Sequence, residues 1–231
     1  MIYTASMLAA SSLKFAATPE QGKVSALLLK PPDAVALLVL AHGAGTDMRH
    51  RSLETLSNAL AEFQLATFRY NFPYMEGRRG RISPKPLLTA TVRAAVAAAA
   101  KAAPGLPICA GGRSMGGRMT SLAASQAPLA GVRGLVFFAF PLHPAGKPGT
   151  ERAEHLFEVD LPMLFLQGPR DDLATPELLA PIIKRLGPRA TLHTVAGADH
   201  SFKVLKSSGR TEAEVLRELA ETTAGWISTK L

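Results

Sequence analysis

From residue 24 onward, short apolar runs alternate with amphipathic stretches. No other feature narrows the possible folds as much. The runs are VSALLLK (24–30), VALLVLAHG (35–43), LATFRYNF (65–72), LPICAGG (106–112), VRGLVFFAF (132–140), LPMLFLQG (161–168) and ATLHTVAG (190–197). Several are apolar almost throughout, as strands buried on both faces must be, and such strands belong to mainly parallel sheets covered by helices. Between them, Leu53, Leu56, Leu60 and Phe63, and later Val215, Leu219, Thr223, Trp226 and Ile227, recur at helical spacing, each set giving one face to dock on a sheet. Pro31, Pro32, Pro104, Gly105, Pro162, Gly187 and Pro188 mark the joints. The expectation is an α/β fold: a mostly parallel twisted sheet with helices on both faces.

With 231 residues, 47% of them hydrophobic, the chain can bury a full core. Neither an internal repeat nor a linker divides it, so a single domain over 1–231 is expected. PLHPAGKPGT (141–150), the longest irregular segment, is too short for a separate cap, which predicts an open site. The start, MIYTASMLAASSLKFAATPE, lacks the charged and apolar regions of a secretory signal and reads as mature sequence. No stretch, including the alanine-rich 94–103, approaches a membrane span. One cysteine, Cys109, excludes a disulfide framework and a zinc cluster and points to a reducing, cytoplasmic setting; it reads as a small buried strand residue. The net charge of +8 is mostly dispersed, so nucleic acid is not an expected partner; only Arg78, Arg79 and Arg81 cluster, in a loop able to attract an anion. Gly43 and Gly45 do not make a nucleotide loop, because position 48 is Met and no phosphate-binding G-x-x-x-x-G-K-[ST] exists.

Gly112-Arg113-Ser114-Met115-Gly116 follows an apolar strand and precedes a helical pattern, which is the setting of a nucleophile elbow. Glycines on either side of a serine at a strand-to-helix turn let backbone pass without a Cβ clash, and the helix start offers free N–H groups to an oxyanion. A serine needs a base, and the base needs a group to fix its tautomer; in this fold the chain order is serine, acid, histidine. Asp171 follows one strand run and His200 the next, both beyond the C-terminal ends of their strands, where sites in open α/β sheets collect. Asp172 is the rival acid, while Asp199 reads as a loop former. Met115 N–H is one expected oxyanion donor. His42-Gly43-Ala44-Gly45 supplies the other, with Ala44 N–H as donor, Gly43 or Gly45 shaping the turn, Gly43 also placed on the substrate side, and His42 ordering the loop rather than reacting. His193 reads as a paired structural histidine, His50 and His155 as surface residues, and Arg113 is left undecided.

Taken together, AHGAG, FRYNFPY, GGRSMGG, LFLQGPRD and GADHSF make the chain resemble a small, lidless, dienelactone-hydrolase-like α/β-hydrolase from about residue 24 to the end. H-G-A-G, R-x-N-F-P-Y and P-L-H-P-x-G-K-P are similar to one subset of it, which includes undefined bacterial hydrolases, a testis-expressed animal member and a histone-acetyltransferase-complex subunit. The resemblance implies Ser114, Asp171 and His200 as the catalytic set and puts Asn71, Phe72, Tyr74 and His143 near the pocket. Dienelactone hydrolases proper use a cysteine where this elbow carries Ser114. The expected activity is a serine hydrolase acting on small esters or thioesters through an acyl-enzyme, without metal or organic cofactor, as a monomer or homodimer. The alternative is a non-catalytic interaction module, which would lack or misplace a member of the set.

Overall fold

A computed structural model describes residues 8–77 and 81–230 of the chain. Eight strands form one sheet: β1 (Ser11–Thr18), β2 (Gly22–Leu29), β3 (Ala36–Ala41), β4 (Leu65–Tyr70), β5 (Ile108–Arg113), β6 (Val132–Phe138), β7 (Met163–Gln167) and β8 (Ala190–Thr194). Their order across the sheet is β1-β2-β4-β3-β5-β6-β7-β8. The segment from β3 to β8 pairs in parallel, while β2 is antiparallel to both β1 and β4. The first apolar run therefore does not extend the parallel array. It turns back on β1, a strand absent from the sequence reading, because SSLKFAAT is half polar and lies on the exposed edge.

The helices are α1 (Arg51–Glu62), α2 (Lys85–Ala102), α3 (Met115–Gln126), α4 (Pro176–Leu186) and α5 (Glu212–Ser228), with a 3-10 segment at Glu151–Glu158 after β6. Strands β3, β4 and β7 are buried along their whole length, as continuous apolar runs require, whereas β8 is an edge strand with only partial cover. Side chains alternate across the pleat and feed two cores. Leu37, Val39, Phe68, Ala110, Phe137 and Phe165 meet α2, α3 and α4 on one face; Leu38, Leu40, Cys109, Val136 and Leu164 meet α1 and α5 on the other. The alanine-rich 94–103 is the last part of α2 and its C-cap, and α2 packs against β1 and α3. Among the described residues no helix is long and apolar enough to cross a membrane.

After β3 the chain crosses to β4 on one side, and β5 enters on the other, so the strand order reverses between β3 and β5. Loops leaving the C-terminal ends of two such strands diverge and open a crevice. The two loops here begin at His42 and Ser114.

Candidate active site

Ser114 sits between the last residue of β5 and the first of α3, with φ 51° and ψ −118°. A non-glycine residue tolerates this backbone only where its neighbours enforce it. Its N–H donates to Phe138 O, which pins the turn to β6. The flanking glycines are required by close approach: a Cβ on Gly112 would come 2.6 Å from Ala41 O, and one on Gly116 would come 2.4 Å from Ala41 O and 2.6 Å from His42 O. The elbow is pressed against the end of β3 with no room for a methyl group.

The Ser114 Oγ lies 2.9 Å from His200 Nε2, and His200 Nδ1 lies 2.7 Å from Asp171 Oδ2. The carboxylate is buried; it also accepts from Gln167 Nε2, and its Oδ1 accepts from Leu173 N at 2.8 Å. A carboxylate on Nδ1 fixes the proton there and leaves Nε2 as an acceptor for the serine hydroxyl. Asp172 is exposed and makes none of these contacts, and Asp199 closes the loop before His200 by accepting from Ser201 N and Lys203 N. Gln167 is the residue sequence reading missed. It ends β7, accepts from Phe140 N and holds Asp171 from behind. A buried amide at a strand end, four residues before the acid, was its only sequence signal.

The loop after β3 is set by His42, fully buried. Its Nδ1–H donates to Gly43 O at 2.8 Å and its Nε2 accepts from Phe72 N at 3.1 Å; burial holds the ring's pKa down to about 4, so it is neutral. Gly43 O also accepts from Thr46 N and Thr46 Oγ1. In a trans peptide the carbonyl and the next N–H point opposite ways, so fixing Gly43 O on that side aims Ala44 N–H away from it. A Cβ on Gly43 would lie 3.7 Å from Ser114 Cβ, which puts this loop directly beside Ser114. Neither Ala44 N nor Met115 N donates to any described residue.

Of the residues expected near the pocket, Phe72 and Tyr74 stand edge-on to His42, at 5.0 and 5.8 Å between ring centroids. Burial pushes the Tyr74 phenol up to about 12. Asn71 is buried, and its Oδ1 is taken by Met48 N, so it braces the loop before α1. The His143 ring is buried, with Nδ1 on Pro144 O and Nε2 without a partner among the described residues. Arg113 donates to Ser52 Oγ at the start of α1, and His193 pairs with Glu218 at 2.7 Å. Arg78 and Arg79 lie outside the described residues, and Arg81 is exposed.

One expectation is overturned. His155 is not a surface residue: it lies in the 3-10 segment, partly buried, 2.7 Å from Ser121 Oγ, and burial lowers its pKa to about 4. This second serine–histidine pair differs from the first. Ser121 is fully buried and its hydroxyl donates to Arg118 O, and His155 has no carboxylate partner among the described residues. It ties α3 to the segment above it. Cys109, too, is fully buried, with its thiol pushed up to about 12, and faces the α1–α5 core rather than the crevice.

Known proteins share this arrangement of strands. A dienelactone hydrolase from Anabaena variabilis superposes with a TM-score of 0.75 at 19% identity, covering 96% of this chain and 99% of that one. An α/β serine hydrolase homologue from Coxiella burnetii gives 0.73 at 20% identity, covering 93% and 95%. A lidless α/β serine hydrolase from Xanthomonas campestris gives 0.71 at 20% identity, covering 94% and 95%. At such identities the likeness speaks for the fold. The family model described as an alpha/beta hydrolase domain matches residues 34–228, from just before β3 to the end of α5. With that span matched and its sheet in place, the chain belongs to the alpha/beta hydrolase domain family.

Proposed function

We propose that the protein is a serine hydrolase that cleaves small carboxylic esters or thioesters through an acyl-enzyme. The observation that carries this reading is the unbroken path from Ser114 Oγ through His200 to the buried Asp171 carboxylate. As the Ser114 oxygen attacks the acyl carbon, His200 Nε2 takes the hydroxyl proton, and Asp171 stabilises the imidazolium that forms. The carbonyl oxygen becomes an oxyanion facing Met115 N–H and Ala44 N–H, two donors with no other described partner. Collapse breaks the bond to the leaving alkoxide or thiolate, which takes the proton back from His200. Water, deprotonated by the same ring, then attacks the acyl-enzyme and frees the acid and Ser114.

Within the family, the HGAG, RYNFPY and PLHPAGKP stretches support membership of the subset named above, and Tyr74, edge-on to His42 in the loop beside Ser114, suits one side of the substrate site. No metal or organic cofactor enters this scheme.

Intact-mass labelling with a fluorophosphonate tests it. One adduct on the wild type, absent from Ser114→Ala and His200→Ala, is the expected result. An unlabelled wild type of native fold would overturn the hydrolase reading and turn attention to an interaction module.

A further inference from the structure

A cavity of about 570 Å³ lies between the start of α2, the outer face of α3 and the 3-10 segment, lined by Lys85, Arg118, Arg152, His155, Glu151 and Glu154 among others. All three elements follow the C-terminal edge of the sheet by one loop, so the cavity opens at the same end as the crevice. One wall shares a helix with Ser114: Arg118 N donates to Ser114 O one helical turn away, a rise of about 6 Å. The cavity's outer wall is joined to His143, since Arg152 Nη1 donates to His143 O at 2.9 Å.

The charges inside are unbalanced. The Arg118 guanidinium makes no hydrogen bond or ion pair among the described residues, and its Nε is buried without a partner. Burial and the neighbouring Arg152 hold it down to about 10. His155, near Arg118 and Lys85, is a neutral ring on Ser121. Glu151 and Glu154 are exposed, and among the described residues neither has an arginine within ion-pair distance. A half-buried guanidinium with a second one nearby and no counter-charge favours an anion that would join them.

The geometry points to an anion subsite: a carboxylate at the far end of the substrate's acyl chain binds Arg118 and Arg152, with Lys85 at the entrance. The inference rests on the hydrolase reading for the word substrate, but the subsite itself does not depend on turnover. A planar guanidinium with free N–H groups matches a carboxylate in bidentate fashion, and Met119 and Leu122 give the chain an apolar flank. The two glutamates at the margin favour a monoanionic group over a phosphate dianion.

Calorimetric titration of the whole protein with adipate, adipamide and inorganic phosphate tests this. Adipate binds, adipamide and phosphate do not, and Arg118→Gln and Arg152→Gln each weaken adipate by about tenfold or more. Arg118→Lys, which keeps charge and bulk but loses the fork, weakens it less and covers the case of a misfolded glutamine variant. No adipate binding at about 50 mM, more than tenfold above a millimolar site, or unchanged binding in folded variants overturns the proposal. Phosphate binding in place of adipate overturns the carboxylate assignment. In turnover, wild type prefers the monophenyl ester of adipic acid to phenyl hexanoate, and Arg118→Gln lowers that ratio of kcat/KM by about tenfold. Adipate binding without fluorophosphonate labelling would sink the hydrolase reading alone; labelling without adipate binding would sink the subsite alone.

Discussion

Replacing Asp171 by asparagine keeps the shape of the buried acid and removes its charge. Oδ2 accepts from His200 and Gln167 while Oδ1 accepts from Leu173 N. An amide offers only one acceptor oxygen. With that oxygen in the Oδ2 place, the His200 tautomer survives, but the amide NH2 faces Leu173 N–H and the imidazolium loses its counter-charge. In the opposite flip the amide donates to His200 Nδ1, Nε2 becomes the protonated nitrogen, and the base is lost. For the first flip, a unit charge pair at the observed 2.7 Å is worth about 6 kcal/mol at an effective dielectric of 20. Divided by about 1.36 kcal/mol per decade, that is about a 10⁴-fold loss in kcat/KM. The second flip costs at least as much. The assay is kcat/KM on a short chromogenic ester, with a urea melt to confirm folding and Asp172→Asn as the exposed neighbour that leaves the rate unchanged. Asp171→Asn within about tenfold of wild type would refute the reasoning, because no arrangement of the amide preserves both tautomer and charge.

Gln167→Leu should lower kcat by about tenfold with KM little moved, since the amide orients Asp171 without reaching substrate; an equal rise in KM would refute that role. Gly116→Ala should destabilise the fold by about 3 kcal/mol or more in urea, because its Cβ would sit 2.4 Å from Ala41 O; a neutral effect would mean the elbow yields more easily than its packing implies. His42 is held neutral by burial, with its pKa lowered to about 4 from 6.5. The unfolded chain therefore binds the extra proton, and the stability present above pH 6.5 is lost as pH falls toward 4, by about 3 kcal/mol for this ring. Urea titrations from pH 7 to 4 should follow that direction, and His42→Asn should flatten the profile; an unchanged slope in a folded variant would refute it.

The parallel strands β3 to β7 were legible in the sequence because strands buried on both faces must be apolar almost throughout, and only a few residue types satisfy that. The antiparallel edge was not. Strand β1 is half polar and half exposed, so its sequence carries no run, and β2 looks like its parallel neighbours although hairpin pairing reverses it. Ser114 could be found because glycines at fixed spacing report a backbone that no other residue can approach. Asp171 and His200 could be found because each ends a strand run in a known order.

What the sequence by itself determined, then, was the layering of the sheet and the identity of the groups at its C-terminal edge, since both follow from burial and from local backbone demands. Only the tertiary structure decided which side chains complete each other across the chain. It chose Asp171 over Asp172 by burying one and exposing the other, and put Gln167 behind it. It drew His155 inward to Ser121 and left Arg118 without a counter-charge beside Arg152. Apart from Gln167 and Asp171, these groups lie far apart in the chain, and local composition carries no record of such pairings: they arise when neighbouring parallel strands bring separate loops to one edge.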